Sequence, residues 1–82
     1  MNQVRVLFFA TLKERAGLSG VSLELPEGAR VRDVKTTLAG RFPGLVEALP
    51  SALISINREF AFEDDLVPPA AEIAVFPPVS GG

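Results

Sequence analysis

The chain reads as short alternating runs at either end and a helical spacing in the middle. Val4 to Phe9 (VRVLFF) is β-branched and aromatic, which predicts a strand. Thr11 to Glu14 has the Thr-x-x-Glu spacing of a capping box, and Gly17 supplies a stop, so a helix of one or two turns comes next. Val21 to Leu25 (VSLEL) alternates strictly and predicts a half-buried second strand, closed by a Pro26-Glu27-Gly28 turn. Val31, Val34, Leu38 and Phe42 then recur on one face of a helix, with Arg32, Lys35 and Arg41 off that face and in water. Pro43-Gly44 ends this helix, and Leu45 to Leu49 suggests a further short turn. Ala52 to Ile56 (ALISI) predicts a third strand, Phe60 to Phe62 a short fourth, and Glu72 to Phe76 (EIAVF) the last.

One amphipathic helix can cover one face of one sheet. The economical arrangement is therefore an α+β roll, a mixed sheet packed on a main helix, with the first and last strands as parallel neighbours at its centre. Strand parity divides their side chains. Arg5 marks the wet face of the first strand, which leaves Val4, Val6 and Phe8 for the core and turns Leu7 and Phe9 outward. Glu72 marks the wet face of the last strand, so Ile73 and Val75 point inward, and Ala74 and Phe76 outward. Phe9 and Phe76 should then lie side by side on the open face as a partner surface.

Composition narrows the chemistry. With 82 residues, 48% of them hydrophobic, the chain suits one small domain. It has no Cys and no His, which removes disulfides, thiol nucleophiles, most zinc sites and the usual general base. A net charge of -2 without a basic patch argues against nucleic acid. No apolar run is long enough for a membrane helix, and the start lacks a signal-peptide pattern, so the expectation is a cytoplasmic protein off the membrane. Glu63-Asp64-Asp65 is a solvated turn rather than a magnesium site, and no metal is expected. Lys13 and Lys35 are expected at the surface. Ser80 has no base beside it and serves as a small residue rather than a nucleophile.

The remaining signal is the end, FPPVSGG. Glycine packs nothing, but its missing Cβ lets a chain enter a narrow channel. Pro77-Pro78 has fixed φ and no N–H donors, so it projects the last four residues away from the sheet. The division expected is a folded domain over residues 1–76 and a flexible tail over 77–82 ending in Gly81-Gly82. A free carboxylate at Gly82 is a poor acyl donor until joined to a leaving group such as AMP. A stiff base and a slim tip suit delivery of that carboxylate into another protein's active site. By itself the chain is expected to catalyse nothing.

VRVLFFA, TLKERAG, VRDVKTTL and above all FPPVSGG resemble the molybdopterin synthase small-subunit family along essentially the whole chain. The resemblance implies a ubiquitin-like β-grasp fold. It implies that an E1-like activating enzyme uses ATP to adenylate Gly82, and that a sulfur donor system converts this end to a thiocarboxylate. The tail, Pro77, Pro78, Val79, Ser80 and Gly81 included, would enter the large synthase subunit and give sulfur to a pterin precursor. It also adds Phe60, which matches an apolar position of the family's interface, to Phe9 and Phe76 as partner-binding residues. No cofactor would be held by the chain itself. The sequence departs from the family at LVPPAAEIAVF, where members often carry an Asp-Gly-Asp turn. Two other classes fit the same residues. One is a related carrier, for thiazole or transfer-RNA thiolation or for conjugation to protein lysines. The other is an interaction module with an incidental tail.

Overall fold

The computed structural model describes residues 2–78. Five strands and two helices occur in the order β1 (Asn2–Phe8), α1 (Ala10–Ala16), β2 (Gly20–Leu25), α2 (Val31–Arg41), β3 (Leu53–Ile56), β4 (Glu59–Ala61) and β5 (Glu72–Phe76). The strands form one mixed sheet in the order β2-β1-β5-β3-β4. β1 and β5 are parallel, with Val6 opposite Ile73 and Phe8 opposite Val75, while β2, β3 and β4 join antiparallel to their neighbours. This is the expected roll, with the outer strands of the sequence paired near the centre of the sheet.

The core lies between the sheet and α2. Val4, Val6 and Phe8 from β1, Leu23 and Leu25 from β2, and Ile73 and Val75 from β5 are buried against Val31, Val34 and Leu38. Phe42, at the end of α2, is half-buried and meets Phe8 edge-on at 5.6 Å. Two single 3-10 turns, Pro43–Leu45 and Leu49–Ser51, replace the single short turn expected there and bury Leu45 and Leu49. Gly44 is required in the first of them, because a Cβ would sit 2.6 Å from the Arg15 carbonyl oxygen at the end of α1.

Two local expectations are corrected. Thr11 and Glu14 do not form a capping box: α1 begins at Ala10, with Phe9 in the cap position and no side-chain cap. The reason is that Phe9 is already fixed, its N–H donating to the Val75 carbonyl at 3.2 Å and its carbonyl accepting from Leu12 N–H at 3.1 Å. A reciprocal bond of that kind occurs instead at α2, where Asp33 Oδ2 accepts from the Arg30 N–H at 2.8 Å. Lys35 is not a surface lysine. Its side chain is 12% exposed, and its Nζ donates to the Ala52 carbonyl at 3.0 Å and pairs with Glu63 at 3.3 Å.

The acidic turn folds back on the start of α2. The carbonyls of Glu63 and Asp65 accept from the N–H groups of Arg32 and Val31, each at 3.0 Å, and Asp64 pairs with Arg32. First-turn donors that a helix leaves open are thereby satisfied by a neighbouring loop. The turn without glycine before β5 forms with Ala70 at φ 55. Asn2 braces it, its Oδ1 accepting from Ala70 N–H at 3.0 Å and its Nδ2 donating to the Pro68 carbonyl at 3.1 Å.

Candidate functional site

The helix-free face of the sheet carries the candidate site. On β1, Val4, Val6 and Phe8 are buried and Arg5 is exposed, so Leu7 and Phe9 turn outward as parity requires. On β5, Ile73 and Val75 are buried and Glu72 is exposed, which turns Ala74 and Phe76 to the same side. Because β1 and β5 run parallel, Phe9 and Phe76 come together at matching ends of neighbouring strands. Their rings stack with centroids 4.8 Å apart and planes 13° off parallel.

Phe60 completes the cluster from β4. It stands opposite Ser55 of β3, whose other neighbour is Ala74, so it reaches the outer face two strands from β5. Its ring centroid lies 6.4 Å from that of Phe76. The three rings are not equally open: Phe60 is 72% exposed and Phe9 41%, whereas Phe76 is only half-buried rather than largely exposed. The expectation of an open Phe76 is corrected by its neighbours, since parity predicts the face of a side chain but not what lies beside it on that face.

A cleft of about 330 Å³ runs over this surface, lined by Leu7, Ser55 and Ala74 with Arg58 and Glu72 at its polar margin. A second, of about 460 Å³, surrounds the point where the chain leaves the sheet and is bounded by Phe9, Leu53, Phe60, Phe76, Pro77 and Pro78. Leu53 belongs to the site and the sequence reading missed it. Its signal was the parity of ALISI, with Ile54 and Ile56 buried and Leu53 exposed opposite Phe76. Phe62, 78% exposed just beyond β4, is a further ring the sequence did not single out. Pro77 is half-buried and Pro78 exposed, and both continue from β5 outside the ladder. Val79, Ser80, Gly81 and Gly82 lie outside the described residues. Among the described residues no cluster of acids has metal-site geometry. The acids of the 63–65 turn are engaged with α2 and with the Phe62 N–H, which donates to Asp65 at 2.7 Å.

The arrangement offers an apolar face at the point where Pro77 and Pro78 leave β5. Such a face suits docking to another protein. Comparison with known proteins agrees with the fold and extends the match to the end of the chain. The ThiS family model matches residues 6–82. The molybdopterin synthase sulfur carrier subunit of Arabidopsis thaliana is 30% identical over 80 residues, spanning 98% of this chain and 83% of that protein. A Pyrococcus furiosus protein assigned as molybdopterin converting factor, subunit 1, superposes with a TM-score of 0.87 at 30% identity, over 96% of this chain and 100% of the other. Small archaeal modifier protein 1 of Haloferax volcanii superposes with a TM-score of 0.88 at 26% identity, over 96% and 100%. By fold, by the extent of the match and by these relatives, the chain belongs to the ThiS family of ubiquitin-like β-grasp proteins, beside the molybdopterin synthase sulfur carrier subunits.

Proposed function

We propose that this chain is the sulfur carrier of molybdenum cofactor biosynthesis and acts as the small subunit of molybdopterin synthase. The observation that carries the reading is the coincidence of a full-length relationship to sulfur carrier subunits with an apolar face at the exit of a terminal VSGG segment. The carboxylate of Gly82 attacks the α-phosphate of ATP in an E1-like adenylating enzyme, and pyrophosphate leaves. Hydrosulfide released by a donor system then attacks the carbonyl carbon, AMP leaves, and the thiocarboxylate remains. In the large synthase subunit the terminal sulfur passes to the pterin precursor, and water returns the end to a carboxylate.

The chain's own contribution is physical. Phe9, Phe60 and Phe76 supply apolar surface for the large subunit, and aromatic side chains dominate such contacts. Pro77 and Pro78 lack N–H groups, so the end cannot lengthen β5 and stays available. Val79, Ser80, Gly81 and Gly82 form the segment that enters the partner. ATP is consumed by the activating enzyme and is not held here, and the cycle is cytoplasmic.

Removing Gly82, or extending the chain beyond it, is expected to abolish sulfur transfer while leaving the thermal melt unchanged. In vitro conversion of the pterin precursor checks this. Full activity of an extended chain shown to remain uncleaved contradicts it. The likeness to small archaeal modifier protein 1 favours a second reading, in which a lysine amine attacks the same activated end and forms an amide. Affinity purification from the native host separates the two, since recovery of the large synthase subunit supports the first and of lysine-linked conjugates the second.

A further inference from the structure

Among the described residues, one polar side chain is buried, and it lies on the apolar face. Ser55 of β3 is 8% exposed. Ile54 and Ile56 on either side of it belong to the core, so its hydroxyl turns to the helix-free face. There it lines the cleft of about 330 Å³, and among the described residues the hydroxyl makes no hydrogen bond.

The cleft exists because its floor is small. Ser55 is registered with Ala74 of β5 on one side and with Phe60 of β4 on the other, so two short side chains lie below the rings of Phe60 and Phe76. The space corresponds to roughly ten water volumes, room for one long side chain. Arg58 and Glu72 stand at its margin with opposite charges, and among the described residues neither is in an ion pair. That margin is fixed to the sheet. The Asn57 N–H donates to the Glu72 carbonyl at 2.8 Å, and Asn57 Oδ1 accepts from the Glu72 N–H at 2.9 Å.

These features constrain an occupant. Covering the cleft takes water from the Ser55 hydroxyl, and a wholly apolar occupant would leave that hydroxyl without a partner, a costly state. A charged tip would leave water for a site whose two charges oppose each other, with little to offset its desolvation. What fits is an apolar stem for the rings and an uncharged hydrogen-bonding tip for the hydroxyl. We propose that this cleft is the specificity pocket of the docking face: a side chain of the molybdopterin synthase large subunit, tipped by an amide or a hydroxyl, enters between Phe60 and Phe76 and hydrogen-bonds Ser55. The choice of partner rests on the carrier reading, whereas the chemistry of the occupant rests on the cleft.

Calorimetry of the full chain with the large subunit from the same host tests this, with denaturant melts of each variant beside it. Ser55→Ala is expected to weaken binding about five- to tenfold, the worth of one hydrogen bond at a buried site. Its unfolding midpoint should not fall, since no bond within the chain is lost. Ser55→Thr keeps the hydroxyl and should bind more tightly than Ser55→Ala. Ala74→Leu fills the floor and should weaken binding by more than about tenfold. The loss in Ser55→Ala should be equal at low and high salt, because a contact with an uncharged tip is not screened. Native affinity in Ser55→Ala or in a folded Ala74→Leu, a Thr variant no better than Ala, an affinity loss matched by a fallen midpoint, or a loss that disappears in high salt would each overturn the proposal. If Ala74→Leu fails to fold, the two Ser55 variants decide. A native chain that does not bind the large subunit would overturn the carrier reading and this partner together, whereas native binding with unaffected variants overturns this proposal alone.

Discussion

At the scale of single residues, the fold depends on side chains whose importance lies in backbone geometry. Asn57 and Arg58 join β3 to β4 in a two-residue turn, both with positive φ, 50 and 73 respectively. Such hairpins favour Asn followed by Gly, so Asn57 suits its place and Arg58 does not. Left-handed backbone costs an L-residue about 1–2 kcal/mol, and glycine loses about 0.5–1 kcal/mol of that advantage through the entropy of the unfolded chain. Arg58→Gly should therefore raise stability by roughly 0.5–1 kcal/mol in denaturant melts. A fall would show that the arginine makes a contact beyond the turn. Asn2 has the opposite standing, since two bonds to the 68–70 turn pass through its amide. Asn2→Ala should lower stability by about 1 kcal/mol, less than two full hydrogen bonds because the site is exposed. Asn2 does not announce itself in the sequence. The missing glycine before β5 was legible as an anomaly, but the remedy comes from a residue at the far end of the chain.

Among the elements, what was legible came from periodicity. The alternation of VRVLFF and EIAVF fixed their buried faces, and the spacing of Val31, Val34 and Leu38 fixed the inner face of α2. These signals survive because burial selects side chains directly, at a period of two or near 3.6 residues. Starts of helices were less legible. Thr11 and Glu14 match a motif, yet Phe9 is committed to β1 and carries the first turn of α1 with it. Lys35 was misread for a related reason. The wheel places it off the apolar face, but the Glu63 turn and the Ala52 carbonyl converge on it from other elements. Two measurements belong to this scale. Leu38→Ala removes a side chain with no exposure and should cost about 2–5 kcal/mol, in contrast with surface positions on the same helix. Asp33→Ala loses the bond to the Arg30 N–H and a favourable charge at the helix start, a loss of roughly 1 kcal/mol that should fall in high salt only by its electrostatic share. Melts of each variant at low and high ionic strength check both figures.

Across the described residues, one face of the sheet is committed to the core and the other carries three rings at the point where Pro77 and Pro78 leave β5. That division is what a carrier requires, since the domain must stay folded while its terminus is handled elsewhere. Phe76 sits on the border between the two functions. Phe76→Ala should weaken docking to the large subunit by tens-fold, at roughly 2 kcal/mol for an aromatic at an interface centre and about 1.4 kcal/mol per tenfold. Because the ring is half-buried against Phe9, stability should fall too, by about 1–2 kcal/mol. Intact binding together with a loss of roughly 3–5 kcal/mol would make the ring a core residue. The proposed function is decided at the terminal carboxylate. The most direct measurement is the intact mass of the chain purified from its own host, before and after treatment with a thiol alkylating agent. Since the sequence contains no cysteine, a thiocarboxylate would be its one thiol-like group. The expected result is a population that has one oxygen replaced by sulfur, gains a single alkyl group, and carries both changes on the peptide ending in Gly82. A chain that shows neither change, even when purified from a host lacking the large synthase subunit so that charged carrier accumulates, would contradict it.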